Sequence, residues 1–240
     1  MKILLVALAI MVTSGSCIFI DTETVKGDGN VTVEERKGLT AHRIRLAGFM
    51  DAELSQGSGT TVKVEADDNL QEYIITRMED DVLIVKMRSN IRFINSERLK
   101  IYITTDRLEQ LTLSGSGNIT GTNKFTGSEH LKLRVSGVGD LKLDFNTPKL
   151  DAEISGSGSL VLSGETKDAK IQINGVGDCN AESMKAENAT VKIAGSGDVK
   201  IFADNNLDVT IRGIGSVYYK GAATVSQKIS GSGEVKRLEE

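Results

Sequence analysis

The 240-residue chain has few of the residue types that common functional sites require. It contains no Trp, one Pro, two Cys and two His, and aromatic residues make up only 4% of it. Two Cys exclude a disulfide-dense scaffold, and two His leave little material for His-based catalysis or a multi-His metal site. The 29 basic and 33 acidic residues give a net charge of −4, so the chain lacks the basic excess that nucleic-acid binding requires.

The N-terminus has the pattern of an export signal. Lys2 precedes ten apolar residues at positions 3–12, a run that would be about 15 Å long as a helix and is too short to span a bilayer. Cys17 follows the small residues 13–16, which is typical of a bacterial lipobox, although Ser14 stands where Leu is usual. We predict that Cys17 is lipidated; ordinary signal cleavage beside an incidental cysteine is the alternative.

A Gly-x-Gly triplet recurs seven times in the C-terminal half, at steps of 18 to 22 residues. The residues two before and two after each triplet are apolar in every repeat. Apolar residues spaced by two indicate strands with alternating faces, and glycine permits a sharp corner through positive φ or close backbone approach. The glycines predicted to form these corners are Gly115, Gly117, Gly137, Gly139, Gly156, Gly158, Gly175, Gly177, Gly195, Gly197, Gly213, Gly215, Gly231 and Gly233.

The repeat predicts an all-β fold, a β-solenoid built from units of about 19 residues that bury their apolar faces by stacking. The middle residue of the triplet alternates between Ser and a β-branched residue, as in Ser157 and Val176. Stacking of like on like would require two units per turn, and we favour that arrangement. One unit per turn is the alternative if the alternation has no structural role.

Residues 30–110 contain alternating and apolar runs without a fixed period, which predicts an irregular β layer continuous with the solenoid. Gly57-Ser58-Gly59 is interpreted as a degenerate triplet within this layer. The predicted organisation is a signal peptide (1–16), a lipid anchor and linker (17–29), an irregular N-terminal β layer of the same domain (30–110), a repeat β-solenoid (111–236) and a polar end (237–240).

The residues that could carry chemistry have simpler structural interpretations. Cys179 occupies an apolar position after a triplet, where a free Cys acts as a small core residue rather than a nucleophile. Calcium needs roughly six to eight oxygen ligands, whereas each repeat offers one carboxylate, and no carboxylate pair is marked out for glycan hydrolysis. We predict no catalytic residue, no metal and no cofactor. The acidic residues that follow triplets are Asp140, Asp178, Asp198 and Glu234.

Two stretches of the chain resemble the GIN-domain family. Residues 47–57, AGFMDAELSQG, and residues 62–70, VKVEADDNL, are similar to its opening, and the Ser-Gly-Ser-Gly and Ser-Gly-Val-Gly series from Ser114 to Gly233 is similar to its repeats. The resemblance spans about residues 30–236. It implies a right-handed parallel β-helix-like fold in an envelope protein of the auto-transporter adhesin head type, similar in shape to pectin-lyase helices but without their catalytic residues.

These observations predict a non-enzymatic cell-envelope lipoprotein that is exported, held in the outer membrane by its lipid, and exposed at the cell surface or on the periplasmic face. Since no stretch long enough for a membrane barrel follows the repeat, the expected anchor is the lipid on Cys17. The expected partners are the membrane and a glycan or protein ligand, whose binding residues the sequence does not mark. The alternatives are a periplasmic structural or envelope-stress protein and a polysaccharide-active enzyme.

Overall fold

The computed structural model describes residues 23–94 and 99–239. Strand accounts for 68% of the structure and helix for 3%, which confirms the predicted all-β class. Parallel strands stack into a β-solenoid of about seven turns. The predicted signal peptide and Cys17 lie outside the described residues. Of the residues that are described, none belongs to a helix long and apolar enough to cross a membrane.

The described part of the chain forms nineteen strands and one 3₁₀ helix, Asp68–Tyr73. The strands of the N-terminal half are β1 (Glu23–Lys26), β2 (Val31–Arg36), β3 (Arg43–Ala47), β4 (Asp51–Gln56), β5 (Thr61–Asp67), β6 (Ile74–Glu79), β7 (Val82–Met87), β8 (Ile91–Ile94) and β9 (Lys100–Thr105). Those of the repeat region are β10 (Gln110–Leu113), β11 (Ile119–Phe125), β12 (His130–Val135), β13 (Leu141–Ile154), β14 (Leu160–Ile173), β15 (Cys179–Ile193), β16 (Val199–Ile211), β17 (Val217–Lys220), β18 (Thr224–Ile229) and β19 (Val235–Arg237).

Each coil, meaning one turn of the solenoid, places one strand segment before the Gly-x-Gly corner and one after it. The segments before the corner pair in parallel in the order β3-β10-β12-β13-β14-β15-β16-β18, which we call the pre-corner sheet. The segments after the corner pair in the order β4-β11-β13-β14-β15-β16-β17-β19, the post-corner sheet. Strands β13 to β16 are long enough to pass through both sheets.

Strands of the N-terminal half extend both sheets beyond the first coil. Strand β7 pairs in parallel with β3, and β6 pairs with β7 in antiparallel fashion, which lengthens the pre-corner sheet. On the other side, β9 pairs in parallel with β4, and the antiparallel strands β5 and β2 follow. Strands β1 and β8 form a separate parallel pair.

The first coil is formed by β3 and β4, and its corner is Gly48-Phe49-Met50. Phe49 bridges Ser116 of the next coil, and Leu46 pairs with Leu113. The interpretation of Gly57-Ser58-Gly59 as a degenerate corner is therefore wrong; these residues connect β4 to the antiparallel strand β5. The corner lacks the second glycine of the repeat, since Met50 stands there, and this obscures it in the sequence.

Each repeat unit forms one complete coil, so the prediction of two units per turn is wrong. Backbone bridges link the middle residues of successive corners, and Ser157 pairs with Val138 on one side and with Val176 on the other. Strand register agrees, because Leu141 pairs with Leu160 of the next unit. The physical reason is exposure: Val138 and Val176 are 59% and 60% exposed, so no buried packing rewards the stacking of Val on Val.

The apolar positions that flank each corner form the core between the two sheets. All but those of the last coil are at most 2% exposed. This burial removes their side chains from water and supplies the main driving force for stacking. In the last coil, Ile229 is 39% exposed. The buried residues are Leu113, Val135, Ile154, Ile173, Ile193 and Ile211 before the corners, and Ile119, Leu141, Leu160, Cys179, Val199 and Val217 after them.

Candidate functional site

The carboxylates that follow the corners accept hydrogen bonds from backbone N–H groups of the next coil. Asp178 Oδ1 accepts the backbone N–H of Asp198 at 2.8 Å, and Asp198 Oδ1 accepts that of Ser216 at 2.7 Å. Asp140 Oδ1 likewise accepts the N–H of Ser159 at 3.0 Å. Each carboxylate therefore satisfies one donor that the corner leaves unpaired. No group of three or more His, Cys, Asp or Glu among the described residues could hold a metal ion.

Cys179 lies in the core, 1% exposed, at the start of β15. Burial raises the pKa of its thiol to about 12, and the nearby charge of Asp178 adds to this shift. The thiolate is the nucleophilic form of cysteine, so a thiol with such a pKa is inert near neutral pH. This agrees with the interpretation of Cys179 as a core residue.

Both histidines lie near the surface beside a carboxylate. His42 Nε2 is 2.9 Å from Asp106 Oδ1, and His130 Nε2 is 2.7 Å from Asp151 Oδ2. The hydrogen bond with His42 lowers the pKa of Asp106. In the part of the chain that the structure describes, neither histidine is hydrogen-bonded to a Ser, Thr or Cys side chain, so neither pair forms a catalytic triad.

A groove of about 520 Å³ on the outer face of β4, β5 and β9 holds two glutamates. Glu53 Oε1 accepts a hydrogen bond from Lys100 Nζ at 2.6 Å, and Glu65 Oε2 accepts one from Tyr102 Oη at 2.6 Å. These hydrogen bonds raise the pKa values of Lys100 and Tyr102. Both carboxylates are therefore held by neighbouring side chains within this groove.

A second groove, of about 450 Å³, crosses the outer face of the pre-corner sheet from β3 to β14 and is the candidate binding site. We call it the basic groove. Thr112 lies on its floor and is only 6% exposed, with Arg45 and Arg134 beside it in the two adjacent coils. At this level the short side chain of Thr112 lies between the long side chains of Arg45 and Arg134, which leaves a depression in the surface. Thr112, Ser114 and Ser136 contribute hydroxyl groups to its lining.

Cations outnumber carboxylates in the basic groove, although the whole chain carries a net charge of −4. The basic lining residues are Arg45, Lys132, Arg134 and Lys170, and the acidic ones are Asp151 and Glu153. The groove is thus locally basic on an acidic molecule, and such a surface attracts anions through a long-range field.

The two carboxylates of the basic groove have partners within the molecule. Glu153 forms an ion pair with Arg134 and accepts a hydrogen bond from Asn174 Nδ2 at 3.1 Å. Asp151 is bound to His130. Three cations of this groove, by contrast, form no ion pair with any carboxylate of the described residues: Arg45, Lys132 and Lys170.

A further groove of about 340 Å³ adjoins the basic groove where strands β10 and β12 begin. The two share Gln110 and Lys132. Its arginines are engaged, since Arg43 Nε lies 3.2 Å and Arg107 Nη2 lies 2.9 Å from the carboxylate of Glu109. The available positive charge is therefore concentrated in the basic groove itself.

Sequence reasoning did not identify the residues of the basic groove. The signal was present in the outward positions of the repeat, where Lys132 and Lys170 stand at the same place two units apart. Arg45, the third available cation, lies in a part of the chain without a visible period, so the sequence pattern does not connect it to the two lysines. The predicted corner glycines lie beside the groove rather than in it.

Solved structures share this fold over most of the chain. A putative adhesin from Bacteroides fragilis NCTC 9343 has a TM-score of 0.84 and 24% identity, covering 89% of this chain and 100% of that one. A putative adhesin from Parabacteroides distasonis ATCC 8503 has a TM-score of 0.73 and 25% identity, covering 90% and 100%. A putative lipid binding protein from the same organism has a TM-score of 0.75 and 23% identity, covering 90% and 100%.

No curated protein matches the sequence. A family model described as "putative auto-transporter adhesin, head GIN domain" matches residues 40–223. This range begins just before β3 and ends just before β18, so it contains the first coil, the basic groove and most of the repeat. The match confirms the resemblance found in the sequence. The chain therefore belongs to the family of the putative auto-transporter adhesin head GIN domain.

Proposed function

We propose that this protein is an exported, non-enzymatic lipoprotein of the cell envelope that acts in adhesion, binding a glycan or protein ligand through the basic groove. The observation that carries the proposal is an open groove on the outer face of the pre-corner sheet. Its cations Arg45, Lys132 and Lys170 have no carboxylate partner among the described residues. A rigid sheet that presents unpartnered charge to solvent is suited to binding without a conformational change.

The family of this chain, described as a putative auto-transporter adhesin head domain, supports a non-enzymatic role. The carboxylates after the corners accept backbone hydrogen bonds, as Asp178 does, and Glu53 and Glu65 are bound to neighbouring side chains. Cys179 is buried and protonated near neutral pH. Turnover of a polysaccharide that is lost on substitution of Glu53 or Glu65 would contradict this part of the proposal.

The proposed anchor is the lipid on Cys17, since each buried methylene group of an acyl chain contributes about 0.8 kcal/mol to membrane binding. We expect Cys17→Ala to release the protein from the membrane fraction. Ser14→Leu, which supplies the usual lipobox residue, serves as the matched control and retains the membrane association. A Cys17→Ala protein that stays in the membrane fraction would show that the lipid is not the anchor.

The location of the domain decides between adhesion and the periplasmic alternative. The test is protease treatment of intact cells, with lysed cells as the control, followed by detection of the protein. Loss of the protein from intact cells is the expected result, because an adhesin must reach ligands outside the cell. Protection in intact cells and loss after lysis would place the domain in the periplasm and favour a structural or envelope-stress role.

A further inference from the structure

We infer that the basic groove binds a linear anionic polysaccharide, laid along the solenoid axis, whose acidic groups recur once per disaccharide. The inference rests on the proposed function, since it names the ligand class of the same groove. It is carried by the spacing of the unpartnered cations along the axis and by the chemistry of the groove floor.

The cations of the basic groove recur at every second coil. In one column of outward residues Arg45 is followed by Thr112 and then by Arg134. In the neighbouring column Lys132 is followed by Asp151 and then by Lys170. Arg134 is paired with Glu153, so the available cations are Arg45, Lys132 and Lys170, each two coils from the next. Neighbouring strands lie about 4.8 Å apart, so successive available cations are separated along the axis by roughly 9.6 Å, a length comparable to that of a disaccharide.

The groove is long enough for a polymer. It extends from β3 to β14, which is four steps between coils, or roughly 19 Å at about 4.8 Å per step. A small anion would contact only one of the cations Arg45, Lys132 and Lys170 at a time. A chain with one acidic group per disaccharide would contact several at once, which raises its effective concentration at each further site.

The groove floor is suited to sugar hydroxyl groups. Ser114 and Ser136 donate their hydroxyl protons to the carbonyl oxygens of Leu46 and Leu113, so their hydroxyl oxygens remain as acceptors for sugar hydroxyl groups. The Thr112 hydroxyl and the side-chain amides of Gln110 and Gln172 also line the groove. No aromatic residue is among the lining residues, so neither stacked sugars nor stacked nucleic-acid bases find a platform there. Recognition must therefore come from charge and hydrogen bonds, which favours an anionic polysaccharide over a neutral one.

The carboxylates of the groove do not cancel its charge. Glu153 is committed to Arg134, and Asp151 to His130, which lies outside the lining of the groove. Together these contacts hold the two acidic side chains of β13 in place between the cationic coils. An incoming acidic group thus meets Arg45, Lys132 and Lys170 as its available partners.

The test is a binding titration of the purified full chain, in detergent, against four probes: hyaluronate, heparin, dextran and monomeric glucuronate. Hyaluronate carries one carboxylate per disaccharide, heparin carries mainly sulfate, and dextran is neutral. We expect one or both anionic polymers to bind, more weakly as salt rises because counterions are released, while dextran does not bind. Comparison of hyaluronate with heparin tells whether carboxylate or sulfate is the preferred group.

The variant is Lys132→Glu/Lys170→Glu, and the matched control is Lys142→Glu/Lys200→Glu. All four lysines are exposed, but Lys142 and Lys200 lie on the post-corner sheet and are not among the lining residues of the groove. We expect the groove variant to bind the polymer at least tenfold more weakly, which is about 1.4 kcal/mol. The control should lose much less affinity for the polymer. Circular dichroism should show both variants folded, because exposed lysines contribute little to stability.

Three results would overturn the inference. They are the failure of both anionic polymers to bind, an equal loss in the groove variant and the control variant, and competition by monomeric glucuronate at the same concentration of carboxylate as hyaluronate. If the domain is exposed at the cell surface and the groove variant still binds the ligand, the adhesion proposal stands and this inference fails. Protection of the domain inside intact cells would contradict adhesion itself, and the titration would still decide the ligand class.

Discussion

A Cβ atom on Gly158 would lie 1.9 Å from the carbonyl oxygen of Gly139 in the preceding coil. The two corners are therefore in direct backbone contact, with no room for a side chain at this point. Gly139 itself has a φ of 140°, a conformation that other residues rarely adopt. Close approach and backbone conformation together explain why glycine recurs at the corners of this solenoid.

Substitution of Gly158 by Ala should therefore push two coils apart. We expect Gly158→Ala to lower the free energy of unfolding by roughly 3 kcal/mol, because the new methyl group cannot be accommodated without a backbone shift. Urea denaturation followed by circular dichroism measures the change. The control is Ser157→Ala in the same triplet. Because the side chain of Ser157 is exposed, this substitution should change the free energy of unfolding by about 0.5 kcal/mol or less. Equal stability of the two variants would mean that the corners can widen.

Phe145 is the largest fully buried side chain of the core and pairs with Phe125 of the preceding coil. Phe145→Ala should lower the free energy of unfolding by roughly 3–5 kcal/mol, the sum of the lost burial and the cavity left behind. Val138→Ala provides the comparison, because Val138 is 59% exposed and its truncation leaves no cavity. A cost below about 1 kcal/mol for Phe145→Ala would contradict the placement of this ring in the core.

Asp178 acts as a hydrogen-bond acceptor for the next coil rather than as a metal ligand. We expect Asp178→Ala to cost about 1 kcal/mol, since it leaves the backbone N–H of Asp198 without its protein acceptor. Asp178→Asn should be nearly neutral, because Asn118 performs the same role for the N–H of Asp140 at 3.1 Å. Thermal unfolding of both variants tests this. A loss as large for Asn as for Ala would indicate that the charge itself is required.

The buried thiol of Cys179 predicts a pH dependence. Its pKa is raised to about 12 in the folded state, whereas an unfolded cysteine ionises near a pH of about 8.5. The contribution of this thiol to stability is fully present below the lower value and is lost as the pH rises toward the upper one. In a Cys17→Ala background we therefore expect the free energy of unfolding to decline over this pH range.

The same background allows a direct measurement of reactivity. A thiol-specific reagent should leave Cys179 unmodified in the native protein at pH 8 and modify it after unfolding in urea. Cys179→Val introduces the residue found at this position in the next coil, Val199. This variant serves as the control, and its free energy of unfolding should lack the thiol's contribution to the pH dependence. Rapid modification of the native protein would contradict the burial of Cys179.

Much of the fold could be predicted from the sequence because the core is periodic. The apolar residues two positions from each triplet, such as Ile154 and Leu160, repeat in every unit, and all outside the last coil are buried. The number of units per turn could not be predicted from Ser157 and Val176, because their side chains face solvent and packing places no constraint on them. An alternation in exposed residues carries no information about which residues are stacked.

The residues of the candidate site could not be predicted from the sequence, for a related reason. Arg45 lies in a part of the chain without a visible period, and Lys132 and Lys170 are ordinary exposed lysines of a β repeat. They become neighbours only through the register of the parallel strands. Gly57-Ser58-Gly59 shows the opposite case, because this local motif resembles a corner, whereas strand pairing places the corner at Gly48-Phe49-Met50.

The amino-acid sequence is sufficient to specify an all-β solenoid with glycine corners and a packed apolar core, since burial and close backbone approach restrict which residues each position accepts. The three-dimensional structure is needed to show that one unit makes one coil and that Arg45, Lys132 and Lys170 line one groove. The outward residues are free of packing constraints, so their neighbours are set by strand register, which is a property of the assembled sheets.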